Sequence, residues 1–191
     1  MQILQPISGS YHGAVQEPIL NQHEAEEIIM MAKTISPLSG QVTLDGKDTV
    51  SENFAIRDVT VYPIPHDIKY SKAWDAMTKV FNSSNETFLY NLNGIFEKIQ
   101  LLQYTAPSNG YDWHIDIGSG QAEFRKLSVA LALNDDYEGG EICLFERGEM
   151  CFKPETGSAI CFSSFIPHRI KPVTKGERWS LVAWASGPRF M

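Results

Sequence analysis

Two patterns in the sequence predict an α+β, mainly β fold. From Thr87 onward, short runs rich in apolar, β-branched and aromatic residues alternate with turn residues at nearly regular intervals, the beat of a sandwich or barrel. Ahead of them lie two segments whose apolar residues recur at helical spacing, and such helices pack most simply on one outer face of a sheet. With 191 residues and 43% hydrophobic content, the chain fits one domain, 1–191, with a sizeable core.

Residues 1 to 15 carry Ile3, Ile7 and Tyr11 at intervals that suit an extended lead-in. Asn21 and Glu24 form a capping-box pattern, and Ala25, Ile28, Ile29 and Ala32 continue at helical spacing, which predicts a helix from Gln22 to Thr34 with His23 on its surface. From Ser36 to Phe54, Pro37, Gly40, Gly46 and several charges leave room for nothing longer than a short hairpin. Ala55 to Tyr62 alternates as a strand until Pro63 and Pro65 break it. His66 then belongs to a turn or cap. Asp67 caps a second helix whose stripe is Ala73, Trp74, Met77, Val80 and Phe81, ending before Asn82-Ser83-Ser84-Asn85. Trp74 is expected in the core.

The strands that follow are expected at Phe88 to Leu92, Glu97 to Tyr104, Leu127 to Leu133, Glu141 to Phe145, Glu149 to Phe152, Ser158 to Phe162, His168 to Ile170 and Trp179 to Ala185. Turn residues separate them, notably at Pro107 to Gly110, Asn134 to Gly140 and Pro154 to Gly157.

Composition excludes several functions. A net charge of −7 with Lys and Arg spread along the chain argues against nucleic acid as a partner. No window approaches 18 apolar residues and the N-terminus lacks a charged, then apolar, leader, so neither membrane spanning nor secretion is expected. Cys143, Cys151 and Cys161 contain no Cys-x-x-Cys and cannot all pair within the chain. The simpler expectation is a reduced, cytoplasmic setting with all three as small buried hydrophobes.

The chemistry gathers in Tyr111-Asp112-Trp113-His114-Ile115-Asp116 and in His168. His114 and Asp116 lie one residue apart, so on an extended strand both would point to one face, as two ligands of one metal must. His168 completes two imidazoles and one carboxylate, the set that leaves open positions in non-haem Fe(II) oxygenases. Ten residues on stands Arg178, whose planar fork matches a carboxylate, and Ser180 shares its strand face and can add a hydroxyl donor. Taken singly, each has a plainer reading: a surface His–Asp pair, a loop histidine after Pro167, a surface arginine. The whole ordered set outweighs them.

From Ile99 to Pro188 that set resembles the 2-oxoglutarate- and Fe(II)-dependent dioxygenases, in particular the prolyl 4-hydroxylase branch. Gln103-Tyr104, Arg125-Lys126-Leu127-Ser128, Tyr137-Glu138-Gly139-Gly140-Glu141 and Trp179-Ser180-Leu181-Val182-Ala183-Trp184 fall in order like family landmarks. The resemblance implies a double-stranded β-helix of jelly-roll type over residues 96–188, with residues 1–95 supplying helices, lead-in strands and a possible substrate lid at 36–54. It implies Fe(II) held by His114, Asp116 and His168, 2-oxoglutarate and O2 as cosubstrates, and ascorbate as a reductant. Arg178, Tyr104 and Ser180 would anchor 2-oxoglutarate. Arg125 and Trp184 would present a guanidinium donor and an aromatic wall to a proline ring or its carbonyl, with Tyr111 and Trp113 near the mouth.

The chain departs from the oxygen-sensing relatives in carrying no tyrosine from Ser128 to Leu133, and it lacks a peptide-binding extension. The expected substrate is a prolyl residue in a peptide or protein. The alternatives are a free amino acid or small metabolite, or a non-catalytic jelly-roll module that binds metal or ligand. Nucleic-acid demethylation is disfavoured by the acidic balance.

Overall fold

A computed structural model describes residues 17–43, 50–52 and 57–190. A seven-stranded antiparallel sheet has the spatial order Glu17–Pro18, Ser158–Ser163, Arg125–Ala132, Glu177–Ser186, Ile99–Thr105, Thr60–Ile64 and Leu38–Ser39. A five-stranded antiparallel sheet is ordered Glu149–Phe152, Ile142–Phe145, His168–Ile170, Gly110–His114 and Arg57–Asp58. The helices α1 (Gln22–Ala32) and α2 (Ser71–Phe88) share a core with one face of the larger sheet. That face contributes Ile99, Leu101, Leu127, Leu131 and Leu181 against Ile28, Met77, Val80 and Phe81. A second core of Leu102, Tyr104, Ala130, Ile160 and Phe162 with Ile142, Leu144 and Ile170 joins the two sheets. The larger sheet is thus covered on both faces, and its central strands read as unbroken apolar runs rather than as alternation.

The capping box at Asn21 and Glu24 forms as expected, and α1 ends two residues early, at Ala32. Trp74 is buried and donates from Nε1 to the carbonyl of Pro65, while His66 packs edge-on against its ring. Asp67 caps a 3-10 turn, Ile68–Tyr70, that leads directly into α2.

Three expectations are corrected. Helix α2 does not stop before Asn82 but continues to Phe88, which removes the strand expected at Phe88 to Leu92. Serine and asparagine cost about 0.5 kcal/mol each in a helix interior. Asn85 offsets this by exchanging two hydrogen bonds with the backbone of Tyr90, and the partly buried Phe88 packs against the core. Pro63 does not break its strand, which runs Thr60–Ile64. Leu38–Ser39 pairs only with Thr60 and Val61, so at Pro63 the strand is an edge and the missing N–H is tolerated. The sequence also failed to mark Gly110–His114 as a strand.

The fourth correction concerns the cysteines. Cys143 and Cys151 face each other across the Ile142–Phe145 and Glu149–Phe152 pair and are joined by a disulfide, and Cys151 is exposed. Only Cys161 is a buried free thiol, and burial pushes its pKa up to about 12. Within 36–54, where nothing longer than a short hairpin is expected, Gln41–Thr43 pairs with Val50–Glu52. Residues 44–49 and 53–56 lie outside the described set, as does the lead-in expected at residues 1–15.

Titration with a thiol reagent checks the pairing. Unreduced protein should yield no reactive thiol when native, one when denatured, and three after reduction. Three thiols in denatured, unreduced protein would contradict the disulfide.

Candidate active site

The site lies between the two sheets. His114 ends the strand Gly110–His114 and sits directly opposite His168, the first residue of its own strand, with ring centroids 4.1 Å apart. A β-bulge sets this register, because three steps from His114 to Tyr111 face two from His168 to Ile170. The chain then leaves extended geometry, and the Asp116 N–H donates to the carbonyl of Ser164. Asp116 therefore reaches the site from a bend, not from the strand face that its i+2 spacing suggested. Its Oδ1 is 3.9 Å from His114 Nε2 and its Oδ2 3.4 Å from His168 Nε2. One ligand atom from each of the three falls within 4.8 Å of the others.

Hydrogen bonds select the tautomers that a metal needs. His114 Nδ1 lies 2.8 Å from the carbonyl of Asp112, and His168 Nδ1 lies 2.9 Å from that of Ile166. A carbonyl only accepts, so both Nδ1 atoms carry the proton and both Nε2 lone pairs face Asp116. Burial and the facing His168 imidazole push the pKa of His114 down to about 3, which keeps it neutral. Burial alone would raise Asp116. His168, His114 and the Ser128 hydroxyl outweigh it and hold the carboxyl below its ordinary range.

Ser128 is a residue that sequence reasoning quoted but gave no role. Its Oγ donates to Asp116 Oδ2 at 2.6 Å and lies 2.9 Å from Ser164 Oγ. A hydroxyl has one proton, so Ser164 must donate to Ser128 while Ser128 donates to the carboxylate. The resulting relay fixes which way Asp116 presents its oxygens. The signal was a lone polar residue in the apolar run Leu127 to Ala132, where the pleat of the strand turns Ser128 and Ala130 into the cavity.

At the other end of the cavity, Arg178 is 2% exposed and pairs with no carboxylate among the described residues. Its Nη1 donates to Ser180 Oγ at 2.9 Å, and its guanidinium lies 5.5 Å from the Tyr104 ring centre. The Arg178 Nε and the Tyr104 hydroxyl are both buried without a hydrogen-bond partner. Buried polar groups are normally satisfied, so this end is shaped for a small anion with several acceptor oxygens. Gly140 makes the room: a Cβ there would lie 2.9 Å from Arg178 Cδ, at a φ of +67° that side chains rarely adopt. Between the two ends, Leu102, Ile142, Phe162, Ile170 and Val182 give the cavity apolar walls.

All eight expected site residues thus lie in or beside one cavity, with Arg125 differently placed from the rest. Trp184 lines the cavity, whereas Arg125 lies across the Trp184 ring and bonds Glu97. The structure also adds Arg57, which lines the cavity, stacks over Tyr111 at 4.9 Å and donates to Gln100. Tyr111 in turn stacks on His114 with centroids 3.5 Å apart. Two neutral imidazoles and one oriented carboxylate fit a divalent first-row metal, and His114, Asp116 and His168 form a potential iron site.

Two measurements test this geometry. Ser128→Ala should weaken Mn(II) binding, read by calorimetry, about 10-fold without unfolding the chain; unchanged affinity would remove the hydroxyl from the site. The folded pKa of His114 lies below its unfolded value of 6.5, so unfolding takes up a proton on acidification. Its contribution is fully present above about pH 6.5 and is lost as pH falls toward 3, at up to about 1.4 kcal/mol per unit. The urea midpoint of metal-free protein should fall across that window, and less steeply in His114→Ala; equal slopes would contradict the burial of a neutral imidazole.

Comparison with known proteins agrees with this arrangement. Residues 99–186 match the family model described as 2OG-Fe(II) oxygenase superfamily. A PKHD-type hydroxylase of Polaromonas sp. is 29% identical over 133 residues, covering 63% of this chain and 58% of the relative, so this chain spans little more than half of that protein. A PKHD-type hydroxylase of Rippkaea orientalis is 28% identical over 174 residues, covering 87% and 77%. Among solved structures, a Pseudomonas putida prolyl-4-hydroxylase shares the fold with a TM-score of 0.72 at 20% identity, over 92% of this chain and 94% of that one. A Trichoplax adhaerens prolyl hydroxylase, solved with a hypoxia inducible factor peptide fragment, has a TM-score of 0.72 at 19% identity, over 91% and 83%. Residues 99–186 thus match the 2OG-Fe(II) oxygenase superfamily model, and PKHD-type hydroxylases are among the relatives of the chain.

Proposed function

We propose that this chain couples the oxidative decarboxylation of 2-oxoglutarate, to succinate and CO2, to hydroxylation of a C–H bond in a prolyl residue of a peptide or protein. The observation that carries the cosubstrate is Arg178, a buried guanidinium with no carboxylate partner among the described residues, in the same cavity as two imidazoles and a carboxylate. The prolyl substrate rests on the prolyl hydroxylases among the structures that share the fold.

Fe(II) with O2 and 2-oxoglutarate supplies the oxidising power that no side chain has. The protein binds and orients. His114, Asp116 and His168 hold the metal on one side. Arg178, Ser180 and Tyr104 hold the distal carboxylate of 2-oxoglutarate, satisfying the orphaned Nε and phenol. Leu102, Phe162 and Val182 exclude water around the chain of the cosubstrate. Trp184 and Arg125 form the substrate wall.

In this reading the two facing sheets are a double-stranded β-helix of jelly-roll type and residues 1–191 act as one domain; the lid expected at 36–54 falls partly outside the described residues. No helix among the described residues is long and apolar enough to cross a membrane. A cytoplasmic site of action belongs to the same proposal, without the support of three reduced cysteines, since Cys143 and Cys151 are joined.

Succinate release from anaerobically reconstituted protein, given Fe(II), 2-oxoglutarate and O2 with or without a proline-rich peptide, tests this. Peptide-stimulated turnover is expected, absent in His114→Ala, and with a KM for 2-oxoglutarate raised about 100-fold in Arg178→Ala, since removing one partner of a buried charge pair costs about 2–5 kcal/mol. Stimulation by small molecules alone would replace the substrate. No succinate from iron-loaded protein would overturn the activity.

A further inference from the structure

Arg125 does not meet the site as a free guanidinium. Its Nε donates to Oε1 of Glu97 at 2.7 Å and its Nη2 donates to Oε2 of the same carboxylate, a fork-on-fork pair. Its Nη1 donates to the backbone carbonyl of Asp116 at 3.0 Å, and the guanidinium lies 3.8 Å from the ring centre of Trp184. Both partners are largely enclosed, with side chains 15% and 19% exposed. On one side the guanidinium touches Trp184 and the Asp116 carbonyl, two residues that line the metal cavity. On the other, Glu97 lines a surface cleft with Phe96 and Phe124.

We infer that Glu97 is a specificity-determining residue that makes the site select a neutral carbonyl, such as a peptide bond, over a free carboxylate; this rests on the prolyl-hydroxylase reading above. Of the five N–H bonds of Arg125, three are committed to Glu97 and Asp116, which leaves one on each Nη. One N–H suffices for an amide carbonyl, which brings no charge. A carboxylate would have to share the guanidinium with Glu97, placing two like charges a few ångströms apart in an enclosed site. At so short a separation in an enclosed site, that repulsion weakens carboxylate binding about 10-fold or more. Glu97 therefore acts by rejecting the wrong ligand rather than by adding a contact to the right one. Peptidyl proline passes. Free proline, or a chain ending in proline, does not.

The test compares two substrates of equal length that differ only at the proline carboxyl group: acetyl-glycyl-prolinamide, which is neutral there, and acetyl-glycyl-proline with a free carboxylate. The ratio of their kcat/KM values for stimulated succinate release is measured in wild type, Glu97→Gln and Glu97→Asp, with Mn(II) affinity as a check on the site. Wild type and Glu97→Asp should favour the blocked peptide. Glu97→Gln should move the ratio toward the carboxylate about 10-fold or more, with Mn(II) affinity unchanged. An unchanged ratio in Glu97→Gln, or a wild type that prefers the carboxylate, would each overturn the inference while leaving the oxygenase intact. If neither substrate stimulates wild-type protein, the prolyl reading itself fails and the inference falls with it.

Discussion

The centre of this molecule depends on one strand register, His114 opposite His168 in the smaller sheet. A slip of one residue would turn one imidazole to the other face and dismantle the ligand set. Several features hold that register. Gly110 lies where a Cβ would come within 2.2 Å of the Ile170 carbonyl, so the strands can approach only there without a side chain. The bulge between His114 and Tyr111 re-aims His114 toward His168. Leu144 pairs His168 on its far side, and behind it Cys143 and Cys151 tie the next two strands together.

Charge is handled differently at the two ends of the site. Arg178 is buried with a serine and a phenol for company and no anion among the described residues, a state that a bound carboxylate completes. Arg125 has its carboxylate already, from Glu97. One guanidinium is thus kept ready for an anion and the other is kept neutral as a pair. Near the metal ligands the same economy appears in protons: two carbonyls fix two tautomers, and a two-serine relay fixes one carboxylate.

What could be read from the sequence was whatever depends on residue chemistry and short spacing. His114, Asp116, His168, Arg178 and Ser180 were legible because their order and intervals together resemble a known family's motif, His-x-Asp alone being a weak signal, and the cavity brings them together with Tyr104. The face-sharing of Arg178 and Ser180 held, since both lie on one regular strand. That of His114 and Asp116 did not hold, because the strand ends between them; a backbone bond to Ser164 brings the carboxylate to the site instead. Long-range partners left no local trace: Glu97 meets Arg125 across 28 positions and Ser164 meets Ser128 across 36. The persistence of α2 through Asn82-Ser83-Ser84-Asn85 was hidden because its support comes from Tyr90 and the core. The disulfide was within reach, since Cys143 and Cys151 stand at equal distances from the turn at Arg147, but seeing it required pairing the two strands first.

The most direct measurement is a diffraction structure of the protein crystallised without oxygen with Mn(II) and 2-oxoglutarate. One metal ion should lie among His114 Nε2, Asp116 and His168 Nε2, with the distal carboxylate of 2-oxoglutarate on Arg178, Ser180 and the Tyr104 hydroxyl. A metal held by other side chains, or 2-oxoglutarate bound away from Arg178, would contradict the account at its centre.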